Sequence, residues 1–283
     1  MTVSGWLAQA APRLGAIIGP EAAARELRLM LMAATGWTAV RLGVSGADDL
    51  PRPARTLADA MLARRLLREP MAHILGEWGF YGRMFGVSPA TLVPRPDTET
   101  LVDLALAEDF SRFIDLGTGS GAIAVTLLAE RRTAQGLASD LSAGALAVAA
   151  RNAARHGVEG RIDFVQADWW EGITGTFDLV VSNPPYVTDA EYVDLAPEIT
   201  RWEPRAALTP GGDGLSGYRA ILAQIHRHLA PGGRCLVEIG AGQGDVVAGL
   251  FRGAALTDVE VHADINGKDR VVSGRRAVRR ENG

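Results

Sequence analysis

Asn183-Pro184-Pro185-Tyr186 closes an apolar run at 177–182 with an amide, two rigid residues and a phenol. Those residue types in that order suit chemistry on a planar nitrogen. An amide or exocyclic NH2 has a delocalised lone pair and is a poor nucleophile, but two acceptors that hold both of its N–H protons can direct that lone pair at an electrophile. Asn183 offers a side-chain oxygen. Pro184 offers a carbonyl kept in place because paired prolines restrict the backbone and supply no competing donor. Tyr186 can pack on the planar face of the acceptor. With a good leaving group such a site needs no histidine or carboxylate base, and catalysis becomes mostly positioning. In isolation Asn-Pro-Pro is also the composition of an ordinary turn.

A second constellation lies upstream. Asp115-Leu116-Gly117-Thr118-Gly119-Ser120-Gly121 ends a strand-like run and passes at once into a helical pattern. Glycines there let the backbone turn tightly and approach a ligand. Asp140 follows Gly119 by 21 residues, at the end of the next strand-like run, where a carboxylate can accept from both ribose hydroxyls. The pair predicts a nucleoside-containing cofactor. Gly117-x-Gly119-x-x-Ala122 also meets the looser dinucleotide pattern, so an NAD-dependent dehydrogenase stays open on glycines alone. Asp115 weighs against it, because a carboxylate at that place would repel a pyrophosphate yet suits the ammonium and sulfonium of S-adenosylmethionine. At the end of a third run, Asp168 can accept from an adenine amino group and Trp169 can cover the ring. The plainer reading makes Trp169 and Trp170 one core and one surface aromatic.

The elements that must hold these groups follow from hydrophobic spacing. From residue 111 the chain alternates strand, turn and helix: strands at 112–117, 136–140, 161–168, 177–183 and 234–240, helices at 122–130, 142–157, about 218–229 and after Gln243, and closing strands at 258–264 and 269–274. This alternation predicts a Rossmann-like, doubly wound and mostly parallel α/β sheet, with ligands at the carboxyl ends of the strands. Residues 1–72 instead carry apolar residues at helical spacing (Val3, Trp6, Leu7, Ala10, Leu14; Ala23, Leu27, Met30, Leu31), with Gly19-Pro20 separating two helices and a third over 54–68. They predict a small all-helical domain. Residues 73–94, with WGFYGRMFGV turning at Gly82-Arg83, predict a β-hairpin linker, and 95–283 a cofactor-binding domain.

Composition narrows the classes. The chain has 283 residues, with 29 Lys and Arg against 33 Asp and Glu, a net charge of −4, and lacks the basic excess of a dedicated nucleic-acid binder. A single cysteine, Cys235, excludes an internal disulfide, and scattered histidines at 73, 156, 226, 228 and 262 argue against a metal site. No run reaches the length of a membrane span, and the N-terminal sequence lacks a basic start, so a cytoplasmic, unprocessed protein is expected, with a monomer as the default. Arg275, Arg276, Arg279 and Arg280 read as a solvated basic end.

DLGTGSG, Ser139-Asp140 and NPPY together resemble the amino-methyltransferases that modify adenine nitrogens or glutamine amides. Further strings narrow the resemblance: Pro94-Arg-Pro-Asp-Thr-Glu99, Trp202-Glu-Pro-Arg-Ala-Ala-Leu208, Glu238-Ile-Gly-Ala-Gly-Gln243 and Asn266-Gly-Lys-Asp-Arg-Val-Val272. From about residue 70 to the end the chain is similar to the protein-(glutamine-N5) methyltransferases of class 1 peptide chain release factors. The resemblance implies S-adenosylmethionine as cofactor, bound by Gly117, Thr118, Gly119, Ser120, Gly121, Asp140, Trp169 and Asn183. It implies the GGQ-loop glutamine as acceptor, held by Asn183, Pro184, Pro185 and Tyr186, and a helical domain that docks the release factor. An adenine-N6 nucleic-acid methyltransferase shares the NPPY logic and is the alternative. Arg95, Thr98, Glu99 and Glu203 could line the channel, or Thr98 could merely cap a helix and Glu203-Pro204 stiffen a loop.

Overall fold

The computed structural model describes residues 1–278, so Arg279 and Arg280 lie outside the described residues. The chain divides into two compact units, Met1–Gly76 with Pro197–Trp202, and Glu77–Ala196 with the chain from Glu203 onward.

The first unit is helical. α1 (Val3–Ile18) is capped by the Thr2 hydroxyl, which accepts from Gly5 N, and buries Val3, Trp6, Ala10 and Leu14 along one face. Gly19, at φ +85°, makes the break that α2 (Pro20–Thr35) needs, with Pro20 in the first turn, where its missing N–H costs nothing. α2 buries Ala23, Leu27, Met30 and Leu31, and α4 (Arg52–Leu66) adds Ala54, Ala58, Met61 and Leu62. Two short helices, α3 (Ala39–Val44) and α5 (Met71–Leu75), were not expected, since five or six residues carry too little periodicity. Arg65 is buried with its charge compensated: Nε donates to Glu26 at 2.6 Å and Nη1 to Glu198 at 3.0 Å. That second partner explains why 197–202 belongs to the helical unit although it lies more than a hundred residues downstream.

The second unit opens with the expected hairpin, β1 (Glu77–Phe80) and β2 (Arg83–Gly86), paired antiparallel. Its turn is Tyr81-Gly82, both at positive φ, rather than Gly82-Arg83, as a two-residue hairpin loop requires. Expected as a linker, the hairpin is packed into this unit: Phe80 and Phe85 join the core, and Asn152 bonds Gly86 N and O at 2.8 and 2.9 Å. After it come α6 (Glu99–Leu106), β3 (Arg112–Leu116), α7 (Ala122–Glu130), β4 (Gln135–Asp140), α8 (Ala143–Arg155), β5 (Ile162–Gln166) and β6 (Phe177–Ser182). The connection then carries α9 (Asp189–Tyr192) and α10 (Pro197–Thr200), the latter within the helical unit. α11 (Ser216–Ala223), α12 (Ile225–His228), β7 (Leu229–Glu238), α13 (Gly244–Gly253), β8 (Thr257–Ala263) and β9 (Asp269–Arg275) complete it.

The strands form one seven-stranded sheet in the order β5-β4-β3-β6-β7-β9-β8, parallel through β7 and antiparallel at β9 and β8. Alternate residues feed opposite faces: Phe113, Leu179 and Val181 enter one apolar layer, while Ile114, Leu116 and Val180 enter the other. Helix and strand positions at 218–240 differ from expectation. The helix breaks at Gln224, and β7 starts at Leu229 because Leu229 already pairs with Phe177 across a register shift. Pro231-Gly232-Gly233 therefore lies inside the strand, with Gly232 and Gly233 bonded to Arg276.

Sheet order decides where a ligand can sit. From β3 the chain builds β4 and β5 on one side, then returns to lay β6 on the other, so the order reverses between β3 and β6. Such a switch opens a crevice at the carboxyl ends of the two strands. The glycine loop leaves β3 there, and Asn183 leaves β6 beside it.

Candidate functional site

A cavity of about 520 Å³ occupies this crevice, within the size range of small-ligand sites. Gly117, Thr118, Gly119, Ser120, Asp140, Asp168, Trp169, Asn183 and Pro185 line it. Asp115, Gly121, Pro184 and Tyr186 are not among its lining residues.

The glycine loop is held by its own backbone. Gly117, Gly119 and Gly121 have φ of +72°, +57° and +79°, the left-handed region that favours glycine. Gly117 N and Thr118 N both donate to Ser139 O at 2.9 Å, Gly119 N donates to Asp140 Oδ2 at 2.9 Å, and Gly121 N to Thr118 O at 2.9 Å. These four amides are thus spent inside the fold, whereas a pyrophosphate is held by free N–H groups pointing at it. The loop suits a nucleoside ligand without phosphates. Asp140 accepts from Gly119 N and, through Oδ1, from Ser142 N at 2.9 Å. A carboxylate has about four lone-pair sites, so acceptor capacity remains for two ribose hydroxyls. Burial raises the Asp140 pKa and the two backbone N–H groups oppose that rise.

Asp115 is not among the residues that line the cavity. It is wholly buried beneath the loop, where Oδ2 accepts from the Thr118 hydroxyl at 2.7 Å, and burial, opposed by that hydroxyl and the Ala124 backbone N–H, pushes its pKa up to about 7. The tryptophans divide as the plainer reading held, with a difference. Trp170 is the core residue, stacked on His228 at 4.5 Å with its indole N–H donating to Ile221 O. Trp169, half-buried at φ +52°, is turned to the cavity wall.

Around Asn183 the restraints are side-chain groups. Its Nδ2 donates to Thr98 Oγ1 at 3.2 Å, which leaves Oδ1 as a free acceptor. Pro184 is buried and Pro185 reaches the cavity. Tyr186 is fixed at both ends: its hydroxyl donates to Glu238 Oε1 at 3.3 Å, and Gln243 Nε2 donates to its carbonyl at 3.1 Å. Glycine is required at 214, where a Cβ would meet the Tyr186 carbonyl at 2.3 Å. Arg95, which lines the cavity, donates from Nη2 to both oxygens of buried Glu203 at 2.7 and 2.9 Å, so Glu203 holds the Arg95 side chain. Burial raises the Glu203 pKa and Arg95 opposes it.

Asn152 was missed by reading the sequence for chemistry. Buried on α8, it bonds Gly86 and also donates from Nδ2 to Ser120 O at 2.8 Å, tying the hairpin to the glycine loop. A signal existed: it shares the Ala145, Val148, Ala149 and Ala153 face, where one amide among small apolar residues must be satisfied. Among the described residues no cluster of three or more His, Cys, Asp or Glu could hold a metal.

Two family models match the chain, the PrmC N-terminal domain over residues 5–76 and the methyltransferase small domain over 96–228. The chain is 50% identical over 275 residues to the release factor glutamine methyltransferase of Cereibacter sphaeroides, covering 97% of this chain and 99% of that one. It is 46% identical over 236 residues to the release factor glutamine methyltransferase of Rhodospirillum rubrum, covering 81% and 72%. Among solved structures, a methyltransferase from Pyrococcus furiosus shares the fold with a TM-score of 0.55 at 17% identity, covering 78% of this chain and 100% of that one. A Rossmann-like methyltransferase sheet, a phosphate-free cofactor cradle, an NPPY turn and these relatives agree, and the chain belongs to the release factor glutamine methyltransferases.

Proposed function

We propose that this protein transfers a methyl group from S-adenosylmethionine to the side-chain amide nitrogen of the glutamine in the GGQ motif of class 1 peptide chain release factors, in the cytoplasm, where those substrates act. The observation that carries the reading is the Asn183 amide, held by Thr98 so that Oδ1 is left to accept at the cavity. In this reading Asp140 takes the ribose hydroxyls, Trp169 and Asp168 the adenine, and the loop Gly117–Gly121 lies along the cofactor. Asp115 acts one layer below, bracing Thr118. S-adenosylmethionine, when bound, would supply an electrophilic methyl on a sulfonium, whose S–C bond breaks to release a neutral thioether without help from an acid. Asn183 Oδ1 and the Pro184 carbonyl accept the two N–H protons of the acceptor amide and so turn its lone pair toward the methyl carbon. The nitrogen forms the new N–C bond and sheds one proton to solvent. No base is needed at the reacting atom, because the departing proton is acidic once nitrogen has been alkylated. Glu203, paired with Arg95, shapes the acceptor side. The helical unit is the docking element for the release factor, in keeping with the family model it matches.

Labelled S-adenosylmethionine offered with a release factor, the same factor with its GGQ glutamine replaced by alanine, and duplex DNA tests the reading. Label in the first alone supports it. Label in DNA would favour adenine-N6 transfer, and label in none would overturn the reading.

A further inference from the structure

Glu238 is a buried carboxylate that the transfer as described does not use. Only 1% of its surface is exposed; Oε1 accepts from the Tyr186 hydroxyl, and Oε2 has no hydrogen-bond partner. The Thr98 hydroxyl, also buried, is a neighbouring donor that favours the charged carboxylate. Thr98 is in turn the group that orients Asn183. A hydroxyl has one proton to donate. Since Thr98 Oγ1 receives the Asn183 Nδ2 proton, its own proton must go elsewhere, and the adjacent unsatisfied acceptor is Glu238.

We propose that Glu238 is a positioning residue for the transfer: its carboxylate takes the Thr98 proton, which leaves Thr98 able only to accept and so fixes the Asn183 amide with Oδ1 toward the acceptor nitrogen. This rests on the functional reading above. The polarity of the chain Asn183 to Thr98 to Glu238 is set at its buried end. If Glu238 is protonated it becomes a donor, Thr98 is free to donate to Asn183 Oδ1, and the amide turns its NH2 toward the acceptor NH2. Donor then faces donor and the lone pair is no longer directed.

The groups around Glu238 make that switch accessible. Burial dominates and pushes its pKa up to about 7; Thr98, Tyr186 and Arg270 on β9 oppose the rise, while Asp97 adds to it. Arg270 compensates Glu238 only in part, because its Nη2 lies 3.2 Å from Asp97 and 3.3 Å from Asp264. The Tyr218 hydroxyl donates to the Glu238 backbone carbonyl and not to the carboxylate. Protonation is therefore favoured as pH falls through neutrality, and turnover should fall with it.

The test uses the full-length chain, its S-adenosylmethionine and a release factor. Wild-type kcat should show an acid limb near pH 7. Glu238→Gln, whose neutral amide either donates or accepts, should lower kcat about tenfold at pH 8.5 and flatten the limb, with the KM for S-adenosylmethionine held within about twofold. Thr98→Val should do the same, and Thr98→Ser should recover most of the loss. An independent readout is the side-chain amide resonance of Asn183 in the 15N-labelled chain without substrates, assigned by its absence in Asn183→Ala. It should titrate near pH 7 in wild type and in Thr98→Ser, and not in Glu238→Gln or Thr98→Val. A resonance that does not titrate in wild type, or one that titrates unchanged in both variants, overturns the proposal; so do kcat and an acid limb unaffected in both. If the wild type methylates no release factor, the functional reading falls, while the resonance still decides the role of Glu238.

Discussion

The two halves of the site are built by different means. The glycine loop is held by main-chain atoms: left-handed glycines and amides donating to Ser139, Asp140 and Thr118 fix its shape, and among its anchors only Asp140, Asp115 and Asn152 act through side chains. The NPPY turn is held by side chains, through Asn183 to Thr98, Tyr186 to Glu238 and Gln243 to the Tyr186 carbonyl. In the proposed function, the contrast follows from what each half must do. A cofactor needs a surface of fixed shape, which backbone bonds provide at low entropic cost. An acceptor amide needs one lone pair aimed, and that depends on which end of an amide faces it.

Breaking the side-chain half should therefore cost chemistry. Asn183→Ala is expected to lower kcat on the order of 100-fold, the scale for losing one preorganised hydrogen-bonding group, while the KM for S-adenosylmethionine changes little. Single-turnover methylation with saturating cofactor checks this; turnover equal to wild type would remove Asn183 from the mechanism. Breaking the bridge beneath the loop should cost folding. Asn152→Ala strands Gly86 N, Gly86 O and Ser120 O, and is expected to destabilise by about 2–3 kcal/mol, read by urea unfolding.

Breaking the cradle itself should cost binding. Asp140→Ala removes the acceptor assigned to the ribose hydroxyls and should weaken S-adenosylmethionine binding about tenfold, with kcat at saturating cofactor nearly kept; calorimetric titration measures it. The smallest effect separates two glycines of one loop. At Gly119 a Cβ would meet nothing within 4 Å, so Gly119→Ala carries only the left-handed backbone cost of about 1 kcal/mol. At Gly121 the same Cβ would lie 3.0 Å from the Ala149 Cβ and 3.1 Å from its Cα, so Gly121→Ala should be less stable than Gly119→Ala by about a further 1 kcal/mol in thermal unfolding. Equal losses would show that the loop has room to shift away from α8.

The elements that carry the site were legible because their signals are local. Helical spacing over Val3, Trp6, Ala10 and Leu14 marks α1, Gly19-Pro20 marks its break, and alternating apolar runs mark β3 to β6. The glycines of the loop and the Asn-Pro-Pro turn declare themselves by residue type, since few other residues tolerate those backbones. A nucleoside-containing cofactor followed from the glycines with Asp140 at its spacing, and a planar-nitrogen acceptor from an amide beside two prolines, while the family resemblance narrowed both.

Tertiary structure decided what depends on partners distant in sequence. Glu198 joins the helical unit because buried Arg65 needs a second carboxylate, and β7 begins at Leu229 because Phe177 is there to pair with it. Nothing local tells Trp169 from Trp170, which are separated by positive φ at one and a stacking histidine for the other. Asp115 reads in sequence as a ligand contact, yet the sheet buries it beneath Thr118. The sequence determined which groups the site contains, because residue type fixes chemistry. Only the fold decided which way Asn183 faces, because the Thr98 hydroxyl that its amide donates to is brought beside it from far earlier in the chain.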